Sequence, residues 1–158
     1  MILYFLRHGR AEHTPGVEDA ARRLTDVGEA ELRAAAPLWR RLNMRPQVIL
    51  SSPLVRALQT AELLVAGLGS KHTPLIDDRL RPGAAWEDLA QAMADHPAAR
   101  RVLFVGHQPD LGSAVELLSG AESVRLRPGS LACLEFPGTP EPGQGELAWL
   151  LDPDLYAG

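Results

Sequence analysis

Three short runs, residues 2–6, 48–50 and 102–105, are almost wholly apolar, and each gives way to a turn of charged, Gly, Ser or Pro residues before a helical pattern begins. A run that is apolar at every position, rather than every second one, belongs to a strand covered on both faces, the condition of a mostly parallel sheet. Strand, turn and helix in alternation make an α/β fold.

The segments between these runs supply the covering helices. Thr25 is the candidate N-cap of the first, in which Ala30, Ala34, Leu38 and Leu42 recur at four-residue spacing before Pro46. Leu54, Leu58, Ala61, Val65 and Leu68 form a second stripe, closed by Gly67 and Gly69. A third helix opens near Asp110, carries Leu111, Ala114, Val115 and Leu118, and stops at Gly120. Residues 86–94 read as a shorter helix ended by Pro97. Residues 130–136 and 146–151 read as late strands, set to pair antiparallel by the Gly- and Pro-rich turn 138–145. A chain of 158 residues can bury a sufficient core without disulfides. The expectation is a single domain over residues 1–158, a three-layer α/β/α sandwich with a mostly parallel central sheet and an antiparallel strand.

Composition limits the partners. The formal charge of −4 gives no global positive field, so neither nucleic acid nor a membrane surface is expected as a partner, and any anion site must be local. No stretch approaches the roughly 18 to 20 apolar residues that span a bilayer, and residues 2–6 are too short and lack the preceding basic region of a signal peptide. A cytoplasmic location is the default expectation. The one cysteine, Cys133, sits in the apolar run 131–136 and reads as a buried strand thiol. His13, His72 and His96 lack the close spacing of a metal site and read as surface residues, and Asp77-Asp78 reads as a strand-end turn.

Ligands of open α/β sheets bind beyond the carboxyl ends of the strands. The three apolar runs end in Arg7-His8-Gly9, in Ser51-Ser52-Pro53-Leu54-Val55-Arg56, and in Gly106-His107-Gln108-Pro109. Brought to one sheet edge, two arginines and two histidines, with no matching acids in those turns, repel one another unless an anion lies between them. Phosphate suits that space: Arg offers a planar fork for its oxygens, and helix N-termini near Leu54 and Pro109 add N–H groups.

These three ordered motifs resemble the histidine phosphatase superfamily, whose fold is phosphoglycerate mutase-like. Arg7-His8-Gly9 is similar to its signature, the stretch from Ser51 through Arg56 to Ala61 to its second phosphate-binding segment, and Val105-Gly106-His107 to its second-histidine segment. The short length, Arg22-Arg23-Leu24-Thr25 and His107-Gln108-Pro109 are most similar to the SixA-type protein-phosphohistidine phosphatases. The resemblance implies a two-step reaction that requires no metal or other cofactor. Neutral His8 attacks phosphorus, and water then hydrolyses the phosphohistidine intermediate. Arg7 and Arg56 stabilise the equatorial oxygens, and His107, protonated by the anion beside it, adds a third cationic donor. Gly9, Arg22 and Gln108 complete the expected phosphate-binding set. A backbone carbonyl in the Arg7 to Gly9 turn is expected to fix the His8 ring, with Gly9 giving that turn its freedom.

Larger members of the family carry an acid that protonates an alkoxide leaving group. Here the matching stretch is Asp78-Arg79-Leu80-Arg81-Pro82-Gly83, with Arg81 or Pro82 where that acid would stand. Phosphohistidine expels an imidazole, which protonates readily near neutral pH, so the omission favours a P–N substrate, and the lack of any long insertion between the motifs suggests an open, shallow site that admits the side chain of a phosphorylated protein. Glu12 is an exposed loop carboxylate, or else a fallback donor. Arg10 extends the cationic rim or faces solvent, and Arg22 touches phosphate or partner protein or is a solvated loop charge. The alternatives in function are a broad small-molecule phosphomonoesterase of the same superfamily, or a phosphate- or phosphohistidine-binding module without turnover. Oligomeric state has no signal in the sequence.

Overall fold

The structure is a computed structural model and describes residues 1–156. Six strands form one sheet: β1 (Ile2–Arg7), β2 (Val48–Ser51), β3 (Leu75–Ile76), β4 (Arg101–Gly106), β5 (Leu131–Glu135) and β6 (Glu146–Leu151), in the order β3-β2-β4-β1-β5-β6. The first four strands in that order run parallel, β5 runs antiparallel to β1, and β6 antiparallel to β5. The sequence pattern does not reveal β3. It is two residues long, at the sheet edge, and both residues are exposed, so it carries no apolar run to detect.

Alternation along the central strands feeds two cores. Leu3, Phe5, Val102, Phe104, Ala132 and Leu134 face one layer of helices, α3 (Trp86–Ala94) and α4 (Asp110–Ser119). Tyr4, Leu6, Leu103, Val105, Leu131 and Cys133 face the other, α1 (Asp26–Arg41) and α2 (Val55–Leu68). The result is the expected three-layer α/β/α sandwich. Cys133 is buried within β5, and burial pushes its thiol up to about 12, which keeps it protonated and unreactive.

Thr25 caps α1, its side chain accepting from the Gly28 N–H at 3.0 Å. The face that α1 buries differs from the expected stripe. Ala30 and Ala34 are exposed and Leu38 and Leu42 half-buried, whereas Gly28, Leu32, Ala35, Ala36 and Trp39 are buried. A strict spacing of four drifts around a helix of 3.6 residues per turn, and the true face is partly built of small residues that carry little hydrophobic signal. In α2 the expected stripe is met in part: Leu54 and Ala61 are buried, whereas Leu58, Val65 and Leu68 flank a deeper face completed by Ala57, Thr60 and Leu64. In α4 the expected residues, Leu111, Ala114, Val115 and Leu118, are the buried ones.

Gly28 shows why a small residue is needed at the start of α1. A Cβ there would meet the Arg10 carbonyl oxygen at 2.5 Å and the Arg10 nitrogen at 3.0 Å, so the helix rests directly on the strand-to-helix connection. Gly28→Ala is expected to destabilise the fold by about 1–3 kcal/mol through this overlap, although alanine is intrinsically the better helix former. Urea unfolding of the variant checks this, and an unchanged or raised midpoint would show that α1 does not bear on the Arg10 backbone.

Candidate active site

Register brings the three motif-bearing turns together. Arg7 at the end of β1 lies opposite Gly106 at the end of β4, and Ser51 at the end of β2 lies opposite Val105. Beyond these carboxyl ends is a cavity of about 280 Å³ whose wall includes Arg7, His8, Arg22, Arg56, His107 and Gln108. The expected constellation therefore assembles, with Gly9 as its exception. The Gly9 N–H donates to Thr60 Oγ1 at 3.1 Å, and a Cβ on Gly9 would meet Leu32 Cδ1 at 2.9 Å. Glycine is required at that position by close packing behind the wall. No left-handed backbone conformation is involved, since Gly9 is absent from the positive-φ residues.

His8 is held at both ring nitrogens. Nδ1 donates to the Gly9 carbonyl at 2.7 Å, so the neutral ring leaves a lone pair on Nε2, and Arg56 Nε donates to that atom at 3.3 Å. Burial pushes the His8 imidazolium pKa down to about 3, and the neighbouring His107, Arg56 and Arg7 add to the effect against the opposing hydrogen bond that Nδ1 donates to the Gly9 carbonyl. His107, 5.3 Å away between ring centroids, is pushed down to about 4, again chiefly by burial and then by Arg56. Its Nε2 bonds Ser52 Oγ at 2.8 Å, while its buried Nδ1 has no protein partner. Arg7 donates to the Leu126 carbonyl at 2.8 Å, with Arg125 and Arg56 close enough to lower its proton affinity in addition to its burial.

Two residues at the mouth differ from expectation. His13, expected on the open surface, is exposed but forms part of the cavity wall, 3.4 Å from Arg22. Asp19 was not singled out at all, because it lies in a loop with no motif around it. Its carboxylate takes Arg22 at 2.9 Å and Arg56 at 3.2 Å, and its carbonyl takes Arg56 at 2.6 Å. The Arg22 and Arg56 hydrogen bonds hold its carboxyl below the usual range, so Asp19 is an ionised counter-ion to the pocket. The turns themselves are acid-free as expected; the answering charge arrives from the loop before α1.

The remaining candidates sort cleanly. Arg22 is in the wall and also donates to the Glu12 carbonyl at 2.6 Å. Arg10 turns to Glu31 at 3.0 Å, on the solvent side. Pro82 lines the cavity, whereas Arg81 turns to Asp78 at 3.1 Å, and no carboxylate is among the lining residues. Asp77 caps the following turn by accepting from Arg79 N at 2.9 Å, the strand-end role expected of it. Among the described residues no group of three or more His, Cys, Asp or Glu side chains is placed to hold a metal ion. Nor is any helix among them long and apolar enough to cross a membrane.

A neutral imidazole with its lone pair turned into an arginine-lined cavity, at the carboxyl edge of a parallel sheet, is the arrangement of a phosphoryl-transfer enzyme. The family model for the histidine phosphatase superfamily (branch 1) matches residues 3–112, and the chain belongs to that superfamily. It is accordingly a phosphatase with a histidine nucleophile. A relative in Picosynechococcus sp., itself uncharacterised, is 39% identical over 126 residues, covering 75% of this chain and 73% of the relative. The structure of the protein histidine phosphatase SixA complexed with tungstate superposes with a TM-score of 0.85 at 24% identity, over 98% of this chain and 99% of that one. A protein assigned as phosphohistidine phosphatase SixA from Agrobacterium tumefaciens gives 0.78 at 25% identity, over 96% and 97%.

The depressed imidazoles make stability depend on pH with a definite sign. Unfolded, His8 and His107 take up protons at about pH 6.5; folded, they do so only near 3 and 4. The unfolded chain thus binds more protons between those limits, and the stability contributed by these groups, complete above pH 6.5, is lost as pH falls. The urea midpoint is expected to decline from pH 7 to pH 5, with a shallower decline in His107→Gln. A midpoint flat across that interval would show that the two imidazoles titrate alike in the folded and unfolded chain, and one that rises would show that they are charged in the native protein.

Proposed function

We propose that the chain is a metal-independent phosphohistidine phosphatase that removes the phosphoryl group from a histidine of a partner protein by way of a phospho-His8 intermediate. The observation that carries the substrate assignment is Pro82 in the cavity wall, in a lining that contains no carboxylate. An ester substrate would have to expel an alkoxide without a proton donor, whereas phosphohistidine expels an imidazole.

In the first step the lone pair on His8 Nε2 forms a bond to phosphorus as the P–N bond to the substrate imidazole breaks. The departing nitrogen keeps that electron pair and takes a proton from solvent. Arg56, which rests on Nε2 in the free protein, and Arg7 bind the phosphoryl oxygens. Arg22 and Gln108 close the cavity around them, and the arriving anion raises the proton affinity of His107 so that it donates as well. In the second step water attacks phosphorus, the P–Nε2 bond breaks, and the electron pair returns to His8 while the proton of water leaves with phosphate or to solvent. The geometry of the nucleophile supports this assignment: the Gly9 carbonyl fixes the tautomer that leaves Nε2 unprotonated.

A panel that sets a phosphohistidine protein beside small phosphomonoesters, with chelator present, tests the substrate. Turnover is expected for the phosphohistidine protein and little for the esters; the reverse pattern would mark a broad phosphomonoesterase. His8→Ala should lower turnover by roughly 10⁴-fold or more while inorganic phosphate still binds, and quenching in alkaline denaturant, where a P–N bond survives, should leave label on the phosphatase only in the unaltered enzyme. Turnover surviving in His8→Ala would rule out His8 as the nucleophile.

A further inference from the structure

Arg56 and Thr60 are four residues apart on α2 and so share one face of the helix, the face turned to the cavity floor. Thr60 is fully buried. Its hydroxyl serves twice, accepting the Gly9 N–H at 3.1 Å and donating to the Arg56 carbonyl at 2.7 Å. The His8 ring supplies the other two links, through Nδ1 to the Gly9 carbonyl at 2.7 Å and through Nε2 from Arg56 Nε at 3.3 Å. Four hydrogen bonds therefore close a ring through His8, Gly9, Thr60 and Arg56. We infer that Thr60 is a positioning residue for phosphoryl transfer, locking the His8-Gly9 turn to Arg56 so that Nε2 keeps both its lone pair and its direction. The inference rests on His8 being the nucleophile.

The surroundings show that the hydroxyl is not there to fill the core. Thr60 sits among Ala57, Ala61 and Leu64 on the buried face of α2, where an apolar side chain would pack without desolvating a polar group. The bond to the Arg56 carbonyl adds little to a helix whose backbone already uses that acceptor. Among the described residues, the one side-chain bond Thr60 makes beyond its own helix is that to Gly9. Gly9 in turn is packed against Leu32 and Leu24, which would lie 2.9 and 3.3 Å from a Cβ built on it, and among the described residues its N–H has Thr60 Oγ1 as acceptor. Loss of the hydroxyl frees the turn, and with it the carbonyl that selects the His8 tautomer. A nucleophile displaced by a fraction of an ångström, or protonated on the wrong nitrogen, is slow even in an intact pocket.

Thr60→Val keeps the shape and removes the hydroxyl. Its kcat is expected to fall roughly 10- to 100-fold with KM little changed, and Thr60→Ser is expected to restore it. In nitrogen-15 spectra the His8 ring should show protonated Nδ1 and unprotonated Nε2 in the unaltered protein, a mixture of tautomers in Thr60→Val, and the original pattern in Thr60→Ser. A lower melting temperature with kcat and the ring signals unchanged would mark a purely structural role and overturn the inference. An inactive His8→Ala beside a fully active Thr60→Val would do the same, whereas an active His8→Ala would strike the nucleophile assignment instead. One reading needs no variant to fold. The Gly9 amide of the unaltered protein should exchange as slowly as those of β1, and rapid exchange there removes the bond on which the ring depends.

Discussion

A cavity walled by three arginines and three histidines is sustainable only if the positive charge crowded there is either removed or answered. Both happen. His8 and His107 are buried deeply enough, and close enough to guanidinium groups, that each is neutral at ordinary pH. Asp19 then supplies an ionised carboxylate to Arg22 and Arg56 at the edge of the site. The neutral state has a chemical consequence as well as a structural one, since an imidazole that holds two protons has no lone pair with which to attack. Conditions that allow the pocket to be buried are therefore those that leave His8 nucleophilic.

The sheet sets this up through register. Pairing of β1 with β4 at Ile2 opposite Arg101 carries through to Arg7 opposite Gly106, so the turns holding His8 and His107 emerge side by side. A strand slipped by one residue would send the side chains of β1 to the wrong core layers and separate the two imidazoles. The buried apolar residues of β1 and β4 thus specify the position of the polar groups that follow them. Behind them, α2 ties the turn after β1 to Arg56 through Thr60 and holds the Leu24 N–H, two residues beyond Arg22, through Gln59 at 2.8 Å.

Most of this arrangement was legible in the chain because it depends on short-range patterns. Runs of apolar residues locate β1, β2 and β4, and the convergence of Arg7, His8, Arg56 and His107 follows from their place just after those runs. What was hidden depends on packing distances. The buried face of α1 is set by Gly28 and by small alanines, which carry little hydrophobic signal. The role of Gly9 lies in the nearness of Leu32, and the sequence suggested instead a need for backbone freedom. His13 reaches the cavity, and Asp19 reaches Arg22 and Arg56 of its wall, through a segment without periodicity, and nothing in such a segment announces where it ends up. Thr60 stood within a recognised segment, but its partner, Gly9, is 51 residues away.

Asp19 also bears on the question of the leaving group. Its carboxyl is held below the usual range by the arginines it meets, so an acid brought against this pocket is ionised and has no proton to give at neutral pH. A substrate suited to the site is therefore one whose leaving group needs no strong acid. The imidazole expelled from phosphohistidine meets that condition, since its own pKa of about 6.5 lets it take a proton from water as the P–N bond breaks. An alkoxide, far more basic, does not meet it. On the proposed reading, a wall with Pro82 in place of an acid leaves an ester without the proton donor it needs, whereas the imidazole of phosphohistidine departs without one.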